Sequence, residues 1–102
     1  MHELSCTVRR VGDYESRTEE YEIFYAVGDA RPRGLRIKYQ AARAYEINAA
    51  IDAAVETARG MISQADPDHE GPPDEALSQF TWRAIQSAKY EEGEARTSQL
   101  QL

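Results

Sequence analysis

The sequence predicts an α+β fold of two layers, β-β-β-α-α, in which a three-stranded antiparallel meander is covered on one face by two helices. Three observations lead to this prediction. Apolar residues recur at every second position up to about residue 40 and at every third or fourth position from about residue 41, and these are the periods of strands and helices. A chain of 102 residues is also long enough for one core and too short for two domains.

Three alternating segments make up the predicted sheet. Residues 4–11, 21–27 and 35–40 place apolar and polar side chains on opposite faces, as half-buried strands do. The loops between them are short and rich in turn-forming residues, so consecutive strands are expected to pair antiparallel. The side chains expected to face the helices are those of Leu4, Cys6, Val8, Tyr21, Ile23, Tyr25, Val27, Leu35, Ile37 and Tyr39.

Two amphipathic helices are expected after the strands. The first, from about residue 41 to about residue 62, is rich in alanine and places Ile47, Ile51 and Val55 on one face, which favours a helix packed on one side. Gly60 is expected to weaken its final turn or mark its end. Residues 64–73 hold three of the four prolines and form a loop.

The second helix is expected to begin near Pro73. A proline suits the first helical position, and Asp74 and Glu75 lie close to the positive end of the helix dipole. Beyond residue 90 the periodicity is lost and Gly93 interrupts the chain. Residues 1–90 are therefore expected to form the single domain, and residues 91–102 a frayed or disordered tail.

The composition is that of a folded protein of a reducing compartment. The chain is 41% hydrophobic and 29% charged, which is typical of globular domains. The single cysteine cannot form an internal disulfide. No apolar run resembles a secretory signal or a membrane span. We therefore expect a cytoplasmic protein that does not enter a membrane.

The side chains that build common catalytic sites are scarce, so the expected protein is not an enzyme and uses no cofactor. Only His2 and His69 are histidines, Cys6 is expected to be an inert buried thiol, and no phosphate-loop or zinc-site motif is present. The carboxylates of residues 18–22 are expected to be solvated, whereas an acid and base pair needs two different environments.

One segment imitates part of a metal site. Residues 66–71, DPDHEG, match the first half of a calcium-binding loop. The second half fails, because Leu77 stands at the twelfth position, where a bidentate glutamate is needed. We therefore expect a solvated, proline-rich turn and no metal.

The negative charge is concentrated in the predicted helical half. Residues 1–44 hold eight Lys or Arg against seven Asp or Glu, whereas residues 45–102 hold four against eleven. Such a surface favours a basic protein partner, and we expect an inhibitor or regulator of a nucleic-acid-handling protein. Small phage proteins that disarm host defences by imitating DNA offer an analogy of size and charge, not of family. The residues expected to form this acidic face are Glu46, Asp52, Glu56, Asp66, Asp68, Asp74 and Glu75.

Two alternatives remain open. The segment RPRGLRIKYQAAR, residues 31–43, carries five basic and no acidic side chains, and an exposed aromatic between basic residues on a sheet can hold single-stranded nucleic acid. A homodimer is the other alternative, since a three-stranded meander leaves two unpaired edges, and Trp82 and Tyr90 are candidate interface aromatics. The residues expected to bind nucleic acid in the first alternative are Arg9, Phe24, Arg31, Arg33, Arg36 and Lys38.

Overall fold

The computed structural model describes residues 3–12, 17–68, 70–91 and 93–102. Four strands in these residues form one antiparallel sheet with the strand order β3-β2-β1-β4. Helix α1 packs over β2 and β3, and helix α2 packs over β1 and β4. The α+β prediction is confirmed, with one strand more than expected. The elements are β1 (Glu3–Arg10), β2 (Thr18–Val27), β3 (Arg33–Gln40), α1 (Ala44–Ala65), α2 (Asp74–Ala88) and β4 (Ala95–Gln101).

Alternation along the strands sets the two faces of the sheet. Cys6 pairs with Tyr25 and Val8 with Ile23 across β1 and β2, and all four side chains are buried. Burying an apolar side chain of this size contributes about 1.5–3 kcal/mol of transfer free energy. The meander of β1, β2 and β3 is therefore confirmed, with its apolar side chains facing the helices.

One hydrogen bond joins the sheet to α2 inside the core. The Tyr25 hydroxyl and Thr81 Oγ1 lie 2.6 Å apart, and either can donate. Both groups are buried, so each satisfies a polar atom that would otherwise be costly to remove from water. The bond also fixes how α2 is placed over β2.

Helix α1 begins and ends about three residues later than expected, at Ala44 and Ala65, and it continues through Gly60. A Cβ atom at Gly60 would lie 2.7 Å from Nη1 of Arg33. The glycine thus leaves room for Arg33 to cross the helix and donate from Nε to Gln64 Oε1 at 3.1 Å. The alternative that Gly60 marks the end of the helix is wrong, because the helix continues past it and the missing side chain accommodates Arg33.

Helix α2 begins where the sequence predicts. Pro73 is its N-cap residue, and Asp74 and Glu75 lie in its first turn, where carboxylates interact favourably with the helix dipole. Its apolar face consists of Leu77, Phe80, Thr81, Ala84, Ile85 and Ala88, all buried.

The expected frayed tail is instead strand β4, so that prediction is wrong. Ala95–Gln101 pairs antiparallel with β1, and Gly93, with φ 79°, supplies the left-handed backbone that helps the chain turn back. Thr7 and Thr97 hydroxyls meet at 2.9 Å on the open face. Leu100 and Leu102 pack against the core. The outer edge of β1 supplies the backbone partners that a weakly apolar segment needs to become a strand.

We expect Leu100→Ala to lower the free energy of unfolding by about 1–2 kcal/mol, because the side chain is partly buried against the core. Gln99→Ala, whose side chain lies on the open face, is the matched control and is expected to stay within about 0.5 kcal/mol. Urea unfolding of both variants measures the difference. Equal stabilities of the two variants and the parent chain would contradict the packing of β4.

Candidate functional site

The predicted acidic residues lie mainly at the end of the helix layer where α1 connects to α2. Asp66 and Asp68 lie in the connection, Asp74 and Glu75 in the first turn of α2, and Asp52 and Glu56 one turn apart on the exposed side of α1. Glu46 lies at the opposite end of α1, about 30 Å from Asp66 along the helix axis. Asp52 and Glu56 lie about 21 Å and 15 Å from Asp66 along the same axis. The seven residues are therefore spread over the helix layer, with four at the connection, two along α1 and Glu46 near its start.

Two of these carboxylates are neutralised within the fold. Glu46 Oε2 lies 3.3 Å from Nη1 of Arg43, and Asp74 Oδ1 lies 2.8 Å from Nε of Arg59. The Arg59 guanidinium also donates to the carbonyl oxygens of Glu70 and Pro72, so it ties the connection to α1. The remaining five carboxylates have no basic partner among the described residues; they are Asp52, Glu56, Asp66, Asp68 and Glu75.

Two of these carboxylates lie where the dipole of α1 disfavours negative charge. The last turn of α1 contains no basic residue, and Asp66 and Asp68 follow it directly. Carboxylates near the negative end of a helix are repelled by the exposed carbonyl groups there. Asp66 Oδ1 nevertheless accepts a hydrogen bond from the backbone N–H of Asp68 at 3.2 Å, which stabilises the turn that follows the helix. The described residues show no such contact for the Asp68 side chain.

The open face of the sheet, by contrast, is neutralised internally. Glu22 Oε1 accepts hydrogen bonds from Nη2 of Arg9 at 2.8 Å and from Nη2 of Arg36 at 3.0 Å. The bond from Arg9 is the main reason that the pKa of Glu22 lies below its usual range, and Arg36 adds to it. Glu20 lies 3.6 Å from Arg36. Two of the expected nucleic-acid contacts are thus ion-paired across β1, β2 and β3.

The residues of the nucleic-acid alternative do not share one surface. Phe24 is 46% exposed and lies against Gly34, where a Cβ would approach the ring within 2.5 Å; Lys38 is exposed on the same face. Arg31 lies in the β2–β3 connection. Arg33 lies on the helix side of the sheet, where it reaches Gln64, so its assignment to the open sheet face is wrong. Strand alternation explains this, because Arg33 pairs with the inward-facing Tyr25.

Three further aromatic residues are exposed, and they lie on or beside the helix layer. Trp82 is 36% exposed, and its ring centroid is 6.4 Å from that of buried Tyr39. Tyr90 is exposed beyond the end of α2, with Lys89 Nζ 5.5 Å from its ring centroid. Tyr45, 68% exposed in the first turn of α1, was not expected as a surface aromatic. Its position off the apolar stripe of Ile47 and Ile51 is the signal that identifies it.

One carboxylate of residues 18–22 is buried, contrary to the expectation that all are solvated. Glu19 is only 4% exposed, and its Oε1 accepts a hydrogen bond from the Tyr21 hydroxyl at 2.6 Å. Lys89 Nζ lies 4.0 Å from Glu19 Oε2, and Arg10 donates to the carbonyl oxygen of Lys89 at 3.0 Å. The Tyr21 hydroxyl and Lys89 satisfy the buried Glu19 side chain, and the group links β1 and β2 to the end of α2.

The buried hydroxyl and thiol groups hold their protons at neutral pH. Burial raises the pKa of the Cys6 thiol to about 12 and is also the main cause that raises the pKa of Tyr39 to about 12. The pKa values of Tyr21 and Tyr25 are raised above their usual range for the same reason. A protonated thiol is a poor nucleophile, as expected for Cys6.

The other candidates for chemistry give no site in the described residues. His2 and His69 lie outside them. Within the ranges given above, no three His, Cys, Asp or Glu side chains are grouped so that they can hold a metal ion. No helix of the described part is long and apolar enough to cross a membrane.

We expect the free energy of unfolding to fall as the pH rises above about 9. The unfolded chain loses its thiol proton near pH 8.5 and its tyrosine protons near pH 10, about the usual values, whereas the native state keeps them. The unfolded state then binds fewer protons, so each such group subtracts about 1.4 kcal/mol per pH unit until its native pKa is reached.

Urea unfolding between about pH 8 and pH 11 measures this slope. Cys6→Ala is expected to remove the earliest part of the decline, near pH 9, and to leave the steeper part due to the tyrosines. A stability that is flat to pH 11 would show that the thiol and the hydroxyls ionise as freely in the native state as in the unfolded chain.

Comparisons of the chain with protein-family models, with curated protein sequences and with solved structures find no match.

Proposed function

We propose that this protein is a non-enzymatic interaction protein whose acidic helix layer binds a basic surface on a protein that handles nucleic acid, as an inhibitor or regulator. The observation that supports the proposal most directly is the difference between the two faces. Five carboxylates of the helix layer have no basic partner among the described residues, whereas Glu22 of the sheet face is bound by two arginines.

Electrostatics favour the helix layer as the contact surface. Carboxylates without partners on neighbouring turns and loops sum to a negative potential that attracts a basic surface and raises the rate of encounter. Asp68 carries its charge where the α1 dipole opposes it, so this charge is better explained by a partner than by stability. Proteins that handle nucleic acid present basic grooves that fit a row of negative charges.

The same comparison disfavours the nucleic-acid alternative. A polyanion needs basic side chains that are free to meet phosphates, and Arg9 and Arg36 already bind Glu22. The net charge of the chain, −6, adds long-range repulsion. No observation on the described edges favours the homodimer over a basic partner.

We expect a double charge reversal, Asp52→Lys with Glu56→Lys, to weaken partner binding roughly tenfold or more, because it replaces attraction by repulsion at the contact. The matched control is Arg31→Glu with Lys38→Glu. It also reverses two exposed charges at residues that have no ion-pair partner among the described residues. Because Lys38 lies across from Glu20, circular dichroism and urea unfolding are used to confirm that this variant is folded. Affinity capture from the source cell, before and after nuclease treatment, measures binding of each form.

We expect the parent chain and the sheet variant to capture the same protein, and the helix variant to lose it. Nuclease treatment is expected not to release this protein. Fluorescence anisotropy with labelled single-stranded RNA and DNA at an ionic strength of about 0.15 M tests the alternative. Nucleic acid that binds the helix variant and not the sheet variant would overturn the proposal.

A further inference from the structure

An apolar groove runs along the outer surface of the helix layer, between the first half of α1 and the middle of α2. It has a volume of about 370 Å³. Its walls come from residues one turn apart on each helix, so it follows the helix axes. The lining side chains are Ala44, Ile47, Asn48 and Ile51 of α1 and Ser78, Gln79 and Trp82 of α2.

Trp82 forms a fixed wall of this groove. Its ring is supported from below by Tyr39, with ring centroids 6.4 Å apart and planes inclined by 42°, and Tyr39 is buried. A supported ring loses little conformational entropy when a ligand packs against it. Tryptophan is also among the residue types that contribute most to protein interfaces.

Carboxylates without basic partners flank one end of the groove. Asp52 lies one turn beyond Asn48 on α1, and Glu75 lies one turn before Gln79 on α2. The two helices run antiparallel, since Arg59 of α1 binds Asp74 at the start of α2, so Asp52 and Glu75 flank the same end. Arg83 lies one turn after Gln79 on α2, toward the opposite end. The two ends of the groove therefore carry opposite charge.

The groove therefore fits a segment with apolar side chains along one face and basic side chains at one end. From Ala44 to Ile51 the groove spans about 10 Å, or two helical turns, which accommodates anchors at positions i, i+4 and i+7.

On the basis of the proposed function, we infer that the α1–α2 groove binds a cationic amphipathic helix of the partner protein. Apolar side chains of that helix pack against Trp82 and Ile51. Its Lys or Arg side chains meet Asp52 and Glu75. The carboxylates of the helix layer thus attract basic segments in general, and the groove binds those that form an amphipathic helix.

Trp82 is the single tryptophan of the chain, so its fluorescence reports on the groove directly. The probe is a synthetic peptide of about 15 residues with leucines on one helical face and lysines elsewhere. We expect it to shift the Trp82 emission to shorter wavelength and to saturate. Two control peptides are expected to bind at least tenfold more weakly. The first has the same composition with its leucines spread around the helix, and the second has glutamate in place of each lysine.

Asn48→Arg places a long cation in the groove and is expected to weaken binding of the amphipathic peptide at least tenfold. Ala49→Arg adds the same charge on the same helix, one turn from Ala53, which lines a separate depression beside β3; it is expected to change binding less than twofold. Circular dichroism and urea unfolding confirm that both variants fold as the parent chain does.

The outcomes separate this inference from the proposed function. If both lysine peptides bind equally, or if Asn48→Arg and Ala49→Arg weaken binding alike, charge alone recruits the partner; the groove is then not the site, and the proposed function stands. A chain that self-associates and is made monomeric by Asn48→Arg would overturn the inference in favour of a dimer. Absence of any peptide binding by the folded chain would also overturn it.

Discussion

The sheet has a single apolar face, and the rest of the structure follows from the need to cover it. Alternation along β1, β2 and β3 places one set of side chains against the helices, and the second set stays in water. Two helices joined by a short connection are the elements that cover that face. The Tyr25–Thr81 hydrogen bond and the Glu19 cluster, which joins β1 and β2 to the end of α2, fix the helix layer over the sheet. The outward surfaces of the two layers are therefore separate and have different charge.

The separation explains why one surface is neutral and the other is not. On the sheet, opposite charges lie directly across neighbouring strands, as Arg9, Glu22 and Arg36 do, and their close spacing favours pairing. On the helices, Asp52 and Glu56 are one turn apart and carry the same sign. The pairing of Arg59 with Asp74 stabilises the connection between the helices and leaves the remaining charge of that end available for a partner.

Much of the fold could be predicted because its main elements carry their own pattern. The alternation of β1, β2 and β3 and the helical period of α1 and α2 depend on side chains within each segment. Strand β4 could not be predicted, because its sequence, ARTSQLQ, has little apolar content. This segment forms a strand because it pairs with the free edge of β1, for example Thr97 with Thr7. The residues that decide its structure therefore lie far from it in the sequence. Gly93 was misleading for the same reason, since the turn it permits is only useful when a partner strand is available.

The surfaces could be predicted only in part. The acidic residues and the open-face residues Arg9, Phe24, Arg36 and Lys38 follow from face assignment within single elements. The position of Arg33 against α1 and the burial of Glu19 depend on which element lies opposite, which no local pattern states. The groove beside Trp82 also depends on how α1 and α2 meet, and small residues such as Ala44 and Ser78 leave the space that forms it.

The pairing of Leu4 with Leu100 across β1 and β4 has a consequence for biosynthesis. Because the chain is made from its amino-terminal end, β1, β2, β3 and both helices emerge from the ribosome before residue 101 does. During that interval the backbone groups along the outer edge of β1 have no strand beside them, and such an edge can pair with another nascent chain. Of the four strands of this sheet, the last to be synthesised is therefore the one that covers this edge.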